Sequence, residues 1–408
     1  MSERTTDLLS PEAIESPHEV FRRLRAEGPV VWLPEHRAWF VSTYEAVSDG
    51  FRDVRLSSDR LTPLEARLDE DRRTTLAQTF DLLRGWMVFH DPPEHQRLRE
   101  PLRRAFTPRQ VSNLQPRIAD IVDGLLDDMA EKRTCDLIAD FAFELPAIVI
   151  AELLGVPPAD REEFKHWSDQ LSAIVFGASN RSDQAEQAAA GSAQFADYFG
   201  WLIETYERSP ADNLVSNLIA VTREDPQGSG LSPAELVGAC TLLLFGGHET
   251  TTNLLGNAVH SLLSHRHEWE WLCDQPAALS SALEELHRFD GSTKLMVRVV
   301  GEDHERHGVS MSVGETVFLG VASANRDPIA FVDPDRLWLA RPDAQRHLGF
   351  GYGAHFCLGA SLARIETQLA LGGLVRRFPD LTMRASEATW SSVLLGRGLT
   401  SLPVDVGG

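Results

Sequence analysis

The 408-residue sequence has the composition of a folded protein, with 43% hydrophobic and 24% charged residues, which excludes an intrinsically disordered chain. Its formal net charge of -21 at pH 7 argues against nucleic acid and anionic membranes as partners, because like charges repel. The four cysteines are widely spaced without a CxxC motif, the N-terminal stretch MSERTTDLLS is too polar for a secretory signal, and no apolar run reaches the roughly 18 residues of a membrane span. We therefore expect a reducing, cytoplasmic location.

The predicted elements begin with two short strands and continue mainly as helices. The stretch PVVWLPEHRAWFVST predicts two strands around a turn at residues 34–36. Helical periodicity, broken by Pro or Gly, covers residues 116–156, 159–176, 185–208, 232–263, 277–289 and 358–378. Extended pieces follow at residues 296–300, 309–321 and 393–402, without the strand–helix alternation of a doubly wound sheet. The sequence predicts a mainly α fold with small β-sheets.

The segment FGYGAHFCLG, residues 350–359, places a single cysteine behind two glycines and ahead of a predicted helix. Gly351 and Gly353 allow positive φ or a close approach to a flat group. The helix N-terminus offers N–H groups and a positive dipole that would stabilise a Cys357 thiolate as a ligand. Two other interpretations stay open from these residues alone: a small buried hydrophobic residue, and a zinc ligand with His355, although the further ligands of a zinc site are missing.

A second segment, LLLFGGHETTTN at residues 242–253, lies inside a predicted helix. Two glycines there cost roughly 1 kcal/mol each relative to alanine, so Gly246 and Gly247 need a packing or functional reason. Thr250 is placed to donate its hydroxyl to the Gly246 carbonyl, which would bend the helix and open a groove. Glu249 is an acid in an apolar stretch, where it would relay protons or, alternatively, form an ordinary helix-surface charge.

Together these segments resemble the cytochrome P450 family. FGYGAHFCLG, continuing to Ala363 and Arg364, is similar to the family's haem-binding signature, and the Gly-Gly-x-Glu-Thr-Thr run is similar to its oxygen-activation motif. The resemblance implies that Cys357 is the axial thiolate ligand of haem iron, that His355 contacts a haem propionate, and that Thr250 and Glu249 manage proton delivery. The other implied haem-binding positions in these two motifs are Gly246, Gly247, Phe350, Gly351 and Gly359.

Three further segments extend the resemblance. Glu285 and Arg288 in SALEELHRF match the family's ExxR pair, which is buried and braces the segment ahead of the cysteine, and Arg336 matches the place of a further basic partner. His95 and Arg99 in HDPPEHQRLR, together with Arg298 in MVRVVGED, match contacts to the haem propionates. One departure is the Gly-Ser-Thr run at residues 291–293, where the family usually has a proline.

The resemblance implies a single cytochrome P450 domain over residues 1–408, with a small N-terminal β-containing lobe and a large helical lobe. Haem b would lie between the distal long helix and the cysteine-loop helix. The implied activity is that of a monooxygenase which oxidises a hydrophobic small molecule: a secondary metabolite, terpenoid, steroid or fatty acid-like compound. The implied pocket includes the region of residues 171–180, and its candidate residues are Leu83, Trp86, Val88, Ile174, Val175, Leu243, Leu295, Met296, Val297 and Leu394.

The sequence carries no Rossmann GxGxxG motif and no cysteine spacing for an iron–sulfur cluster. Electrons would therefore come from a separate ferredoxin and its reductase. Arg97, Arg103 and Arg104 are the candidates for a ferredoxin-docking patch, and the protein is expected to be a monomer. Two alternatives are a peroxide-driven peroxygenase and a non-catalytic haem-binding or partner-recruiting relative; such relatives tend to lose the acid–threonine pair or the cysteine, both of which this sequence keeps.

Overall fold

Helices make up most of the chain. The computed structural model describes residues 7–176, 183–224, 230–384 and 387–407. Its α-helices are α1 (Pro11–Glu15), α2 (Pro17–Glu27), α3 (Tyr44–Gly50), α4 (Leu61–Ala66), α5 (Glu70–Thr75), α6 (Ala77–Arg84), α7 (Glu94–Ala105), α8 (Pro108–Asn113), α9 (Gln115–Lys132), α10 (Glu144–Leu154), α11 (Arg161–Phe176), α12 (Gln184–Arg208), α13 (Leu214–Arg223), α14 (Pro233–Ser264), α15 (Arg266–Asp274), α16 (Leu279–Asp290), α17 (Val321–Ala324) and α18 (Ala360–Arg377). Among these described helices, none combines the length and the apolar character that crossing a membrane demands.

The strands are short. They are β1 (Val30–Leu33), β2 (Ala38–Val41), β3 (Leu56–Ser57), β4 (Thr134–Asp136), β5 (Met296–Val300), β6 (His304–Arg306), β7 (Val309–Met311), β8 (Thr316–Leu319), β9 (Thr382–Met383), β10 (Thr389–Trp390), β11 (Leu399–Ser401) and β12 (Pro403–Asp405). β1 and β2 form the predicted N-terminal hairpin, β8 pairs with β2 in parallel, and β5 pairs antiparallel with β8. β12 lies between β4 and β9 in a second sheet. A mainly α fold with small sheets is therefore confirmed.

The chain divides into two compact units. The first comprises Met1–Leu56, Gln115–Pro146 and Glu249–Gly408, and the second comprises Ser57–Leu114 and Ala147–His248. Valine and leucine side chains from β2, β8 and α3 form a buried core in the first unit. In the second unit the aromatic rings of α11 and α12 pack together, with Phe164 edge-on to Tyr198 at a centroid distance of 4.8 Å. The single domain over residues 1–408 stays a prediction.

Within the first unit, α18 carries the cysteine loop at its N-terminus and packs closely on its neighbours. A Cβ at Gly373 would lie 2.6 Å from Leu126 of α9, and a Cβ at Gly372 would lie 3.2 Å from Leu279 of α16. A larger residue at either position would force the facing leucine side chain to move, and side chains in a packed core have little room to do so. The two glycines therefore allow close packing of α18 on both helices.

One helical prediction was wrong in its extent. The pattern over residues 116–156 suggested continuous helix, but α9 ends at Lys132 and Arg133 adopts a φ of +59°. The next residues form β4, in which Cys135 pairs with Val404 of β12, and a π-helical turn at Ile138–Ala142 precedes α10. Pairing with a strand from the far end of the chain outweighs the local helical pattern here.

Candidate active site

The cysteine loop connects a tight turn to the start of α18. The backbone N–H of Cys357 donates to the carbonyl of Phe350 at 2.9 Å, which closes the loop on itself. Gly351 and Gly353 both adopt a φ of +72°, a conformation that side chains with a Cβ rarely take. The loop then enters α18 through Gly359, the residue before the first helical residue. The glycines predicted from the sequence are therefore required by the backbone itself.

The four cysteines, all of which lie in described ranges, differ in their surroundings. Cys135 and Cys240 are buried and Cys273 is half-buried, while Cys357 is exposed. Burial raises the pKa of the Cys135 thiol to about 11 and that of Cys240 to about 12, and it also raises the pKa of Cys273. A thiolate is the form that binds metals. Cys357 is thus the cysteine whose position suits a ligand, and the interpretation of it as a buried hydrophobic residue is wrong.

A buried ion cluster supports the segment ahead of the loop. Glu285 is fully buried and accepts two hydrogen bonds from Arg288, at 2.6 and 2.8 Å. Arg288 also donates to the carbonyls of Asn325 and Pro334, which lie in the segment leading to the cysteine. Because both charges are paired and bonded on several sides, their burial is tolerable.

The predicted third member of this cluster needs correction. Arg336 has an exposed side chain, and only its carbonyl takes part, accepting from Arg288 and Arg341. The second guanidinium on Glu285 belongs to Arg341, whose Nε lies 2.9 Å from Oε2 and whose side chain is buried. The backbone turns between residues 333 and 341, so that the later arginine is the one directed inward. The sequence offered a second arginine in ARPD, but no pattern distinguished it from the first.

Arg298 and the cysteine loop approach the same aromatic ring in the first unit. The Arg298 guanidinium lies 5.8 Å from the Phe51 ring centroid, and a Cβ at Gly351 would lie 3.9 Å from that ring. Arg298 is buried on β5, and His355 is half-buried in the short helical turn of the loop. Arg298 and the loop that carries His355 therefore both lie near Phe51.

In the second unit, His95 is buried and Arg99 half-buried, one turn apart on α7. Two of the three candidate docking arginines on this helix are neutralised within the chain. Arg97 is ion-paired with Glu94 and Glu235, and Arg103 lies 2.7 Å from Glu100. Arg104 is exposed. The candidate patch is therefore less positive than its three arginines suggested.

The oxygen-activation motif lies on α14, which runs unbroken through it. Gly247 has a packing reason within the second unit, since a Cβ there would come within 3.2 Å of the Ile150 side chain. Among the described side chains, a Cβ at Gly246 would meet only Leu242, at 4.0 Å, so packing against them does not account for that glycine. Glu249 and Thr250 are half-buried, and the bend at Thr250 stays a prediction.

The predicted pocket residues differ in exposure. In the second unit, Leu83, Trp86 and Val175 are buried, Ile174 and Leu243 are half-buried, and Val88 is 38% exposed. In the first unit Leu295 is buried, whereas Met296, Val297 and Leu394 are half-buried. Trp86 donates to the Thr241 hydroxyl at 2.9 Å and packs on Phe245, so it is a core residue of its unit. Residues 177–180 of the predicted pocket lie outside the described residues.

The donor set fits haem. Across the described ranges, no three His, Cys, Asp or Glu side chains group as ligands of one metal ion. Haem iron needs only one protein ligand on its proximal side, and an exposed cysteine at a helix start meets that need. Guanidinium and imidazole groups, here Arg298 and His355, suit the propionate carboxylates. The loop, the buried ion cluster and these cations are therefore compatible with a haem protein.

Comparisons with known proteins agree with this class. A sequence model described as cytochrome P450 matches residues 277–392, which include the buried ion pair and the cysteine loop. A vitamin D(3) 25-hydroxylase of Pseudonocardia autotrophica is 40% identical, covering 98% of this chain and 96% of its own. The cytochrome P450 monooxygenase PikC of Streptomyces venezuelae is 37% identical, over 97% and 92% of the two chains. The crystal structure of a myxobacterial cytochrome P450 with myristic acid matches with a TM-score of 0.88 at 37% identity, over 98% and 99%.

The chain belongs to the cytochrome P450 family. It is accordingly a P450 monooxygenase, and its cofactor is haem b.

Proposed function

We propose that the protein hydroxylates a hydrophobic small molecule with O2, using Cys357 as the axial ligand of its haem. Bound haem supplies the oxidising chemistry, and a thiolate ligand favours cleavage of the O–O bond. The observation that carries the proposal is the exposed Cys357 in a glycine-shaped loop at the start of α18, while the other cysteines are buried or half-buried. The Phe350 carbonyl accepts the Cys357 N–H within the loop, and the Glu285–Arg288–Arg341 cluster braces the segment ahead of the loop.

The cationic side chains have a separate task, which is to bind the two propionates. Arg298 and His355 in the first unit, and His95 and Arg99 in the second, are the groups we assign to it. Charge-assisted hydrogen bonds to carboxylates are among the stronger polar contacts in proteins. We assign Gly246, Gly247, Gly351 and Gly359 to the surfaces that face the ring.

Thr250 and Glu249 are the residues we assign to proton delivery. The Thr250 hydroxyl both donates and accepts hydrogen bonds, so it can pass a proton without changing its own charge. Glu249 is half-buried on the same helix, where a carboxylate keeps contact with solvent and can exchange protons. Together they would deliver protons to reduced oxygen, so that electrons end in product and water.

The substrate class we propose is an apolar secondary metabolite, terpenoid, steroid or fatty acid-like compound. Two relatives support this choice by their names: one is a vitamin D(3) 25-hydroxylase, and one has been crystallised with myristic acid. The half-buried apolar residues Ile174, Leu243, Met296, Val297 and Leu394 are the side chains we expect to contact such a compound. A library screen for compounds that shift the Soret band on binding would identify it.

We further propose that a ferredoxin and its reductase supply the electrons, in the cytoplasm, to a monomeric enzyme. The sequence motifs for flavin, nicotinamide and iron–sulfur cofactors are lacking, which supports a separate electron donor. The overall charge of -21 means that an acidic ferredoxin must dock on a locally positive surface.

The axial ligand is tested by the spectrum of the reduced carbon monoxide complex. Wild-type protein loaded with haem should give the thiolate-type Soret band, and Cys357→His should give the imidazole type. The matched control is Cys273→Ser, which removes a half-buried thiol and should leave the thiolate-type band unchanged. An imidazole-type band in the wild type, or a thiolate-type band that survives Cys357→His, would overturn the proposal.

A further inference from the structure

A histidine lies directly behind the cysteine loop. His287, on α16 between Glu285 and Arg288, is 3% exposed, and its ring stands at 90° to the Phe350 ring with centroids 4.3 Å apart. Phe350 is the residue whose carbonyl accepts the Cys357 N–H. One side chain therefore separates this histidine from the hydrogen bond that closes the loop.

Two glycines shape the space for the imidazole. A Cβ at Gly349 would lie 2.4 Å from Nε2 of His287, and a Cβ at Gly291 would lie 2.6 Å from Cδ2. Cβ atoms do not approach other heavy atoms so closely, so both positions exclude any larger residue while the ring stays where it is. The Cβ at Gly291 would also lie 2.5 Å from the backbone carbonyl oxygen of His287, so main chain and ring both restrict that position, whereas Gly349 is restricted by the ring.

Charged and titratable side chains surround the pair of rings. The His347 ring lies 4.4 Å from His287, centroid to centroid, and its Nε2 is 3.1 Å from Glu284. Arg364 forms two hydrogen bonds to Glu284, at 2.6 and 2.9 Å, and its guanidinium lies 4.5 Å from the centre of the Phe350 ring. Phe350 is therefore held by a cation on α18 and by an imidazole on α16.

His287 itself is held in an uncharged state. Burial lowers its pKa well below the usual value, the nearby His347 and Arg364 lower it further, and Glu284 opposes them. Its Nε2 makes no hydrogen bond to any described residue, so a proton added there would be buried without an acceptor. Protonation in acid would also place a new cation beside two existing basic groups.

We propose that His287 is a positioning residue for Cys357, acting through Phe350, and that its protonation makes the ligand loop sensitive to acid. The inference rests on the proposed role of Cys357 as axial ligand. Neutral His287 fills the glycine-lined space and fixes the Phe350 ring. Charged His287 would repel Arg364 and His347 and loosen the packing of the Phe350 ring. It would also make the electrostatic potential at the Cys357 thiolate more positive.

The test is the pH dependence of the haem-loaded enzyme, in wild type and in His287→Leu. In wild type we expect the reduction potential to rise as the pH falls through the titration of His287, because a nearby cation stabilises the reduced iron centre. The thiolate-type carbon monoxide band should be lost over the same pH range. In His287→Leu the rise in reduction potential that protonation of His287 causes should vanish. The loss of the thiolate-type band should move to lower pH.

Three further variants separate the effect of His287 protonation from the effect of its side-chain shape. His287→Gln is polar but does not titrate, so it should behave as His287→Leu does. Gly349→Ala keeps the histidine but displaces its ring, and should change both the potential and the histidine's pKa measured by NMR. The matched control is His260→Leu, since His260 also has a pKa lowered by burial and packs edge-on to an aromatic ring, Trp390, at 5.1 Å. This control should keep the wild-type profile.

The outcomes distinguish this inference from the proposed function. A wild-type enzyme without a thiolate-type band at any pH would remove Cys357 as ligand, and the inference with it. A thiolate-type band together with the same pH profile in wild type, His287→Leu and His287→Gln would overturn the role of His287 alone. Loss of the acid response in His260→Leu would also overturn it, because the response would then not belong to the cysteine loop.

Discussion

The role that we propose for Thr250 depends on a single hydroxyl group. It is half-buried on α14, next to the acid of Glu249. An alanine there removes the hydroxyl and keeps a good helix former, so the fold should tolerate it. The reaction should be impaired by the alanine, because general acid–base groups typically contribute on the order of 100-fold or more to the reaction rate.

We predict that Thr250→Ala binds haem normally but forms product on the order of 100-fold more slowly than wild type, releasing hydrogen peroxide instead. The measurement compares NAD(P)H consumed, product formed and peroxide released in the reconstituted system. Thr250→Ser, which keeps a hydroxyl, is the control and should retain most of the coupling. Full coupling in the alanine variant would show that Thr250 has no part in proton delivery.

Lys294 is a second residue with an unusual environment. It is 3% exposed, and its Nζ donates to the Val393 carbonyl at 2.7 Å. Burial lowers its pKa to about 7; Arg397 adds to this shift and Asp290 opposes it. An unfolded lysine titrates near 10.4. Between about pH 7 and pH 10 the folded protein therefore binds fewer protons than the unfolded chain, and folding stability from this group rises with pH.

We predict that Lys294→Met is more stable than wild type near neutral pH, and that the advantage shrinks as the pH rises toward 10, where the wild-type lysine is neutral in both states. Urea unfolding of the haem-loaded protein at several pH values measures the difference in free energy of unfolding. Lys132→Met changes an exposed lysine paired with Asp140 and should show no such trend. A difference independent of pH would mean that Lys294 is not desolvated.

Some residues of the candidate site could be predicted from the sequence, and two could not. Cys357, Glu285 and Arg288 are set by short spacings along one segment, and such spacings can be read directly. The choice between Arg336 and Arg341 depends on how the backbone turns between them, and only the structure shows that Arg341 reaches Glu285. No sequence pattern pointed to His287, because the contacts that suggest its role are with Gly349 and Phe350, about 60 residues later in the chain.

At the scale of elements, the segment after α6 and the start of α14 make backbone contact in the second unit. A Cβ at Gly238 would lie 2.6 Å from the Cα of Gly85, and a Cβ at Gly85 would lie 2.9 Å from the Cα of Gly238. No side-chain rotation can relieve such a clash, since both partners are main chain. The adjoining segment also carries Trp86 and Val88, two of the predicted pocket residues.

We predict that Gly238→Ala lowers the free energy of unfolding by about 1–3 kcal/mol, the usual cost of overpacking. The matched control is Gly200→Ala in α12, where, apart from the helix's own backbone, no atom of the described residues lies within 4 Å of the added Cβ. That control should be neutral or stabilising by up to about 1 kcal/mol, because alanine is the better helix former. Thermal or urea unfolding compares the two; equal effects at both positions would refute the contact.

Elements with a strong local pattern were predictable, and elements created by distant pairing were not. β1, β2 and β5 follow from runs of β-branched and aromatic residues and were predicted at their observed places. β4 has only three residues and exists because β12, about 270 residues later, pairs with it. A helical period over residues 116–156 carries no information about that partner.

At the scale of the whole molecule, the excess of acidic groups determines how an acidic electron donor could approach. The net charge is -21, and two of the three candidate docking arginines already face carboxylates of their own chain. Arg104 is the exposed one for which no such ion pair is found in the described ranges. A single positive group on an acidic surface should influence the rate of encounter more than the final affinity.

We predict that Arg104→Glu slows reduction by ferredoxin several-fold at low salt, and that the difference fades as the ionic strength rises and screens the charges. Stopped-flow reduction of the haem enzyme at two salt concentrations measures it. Arg103→Glu is the comparison; Arg103 is already paired with Glu100, so its loss should matter less. An unchanged rate with an unchanged salt dependence in Arg104→Glu would exclude this docking site.

The different exposure of the four cysteine thiols offers a practical way to count correctly assembled molecules. Two thiols are shielded and a third is partly so, each with a raised pKa that keeps it protonated and slow toward maleimides or aromatic disulfides. The fourth should react quickly in a chain that has not captured its porphyrin and be protected in one that has. The fast phase of thiol labelling would then report the empty fraction of a preparation before any assay is run.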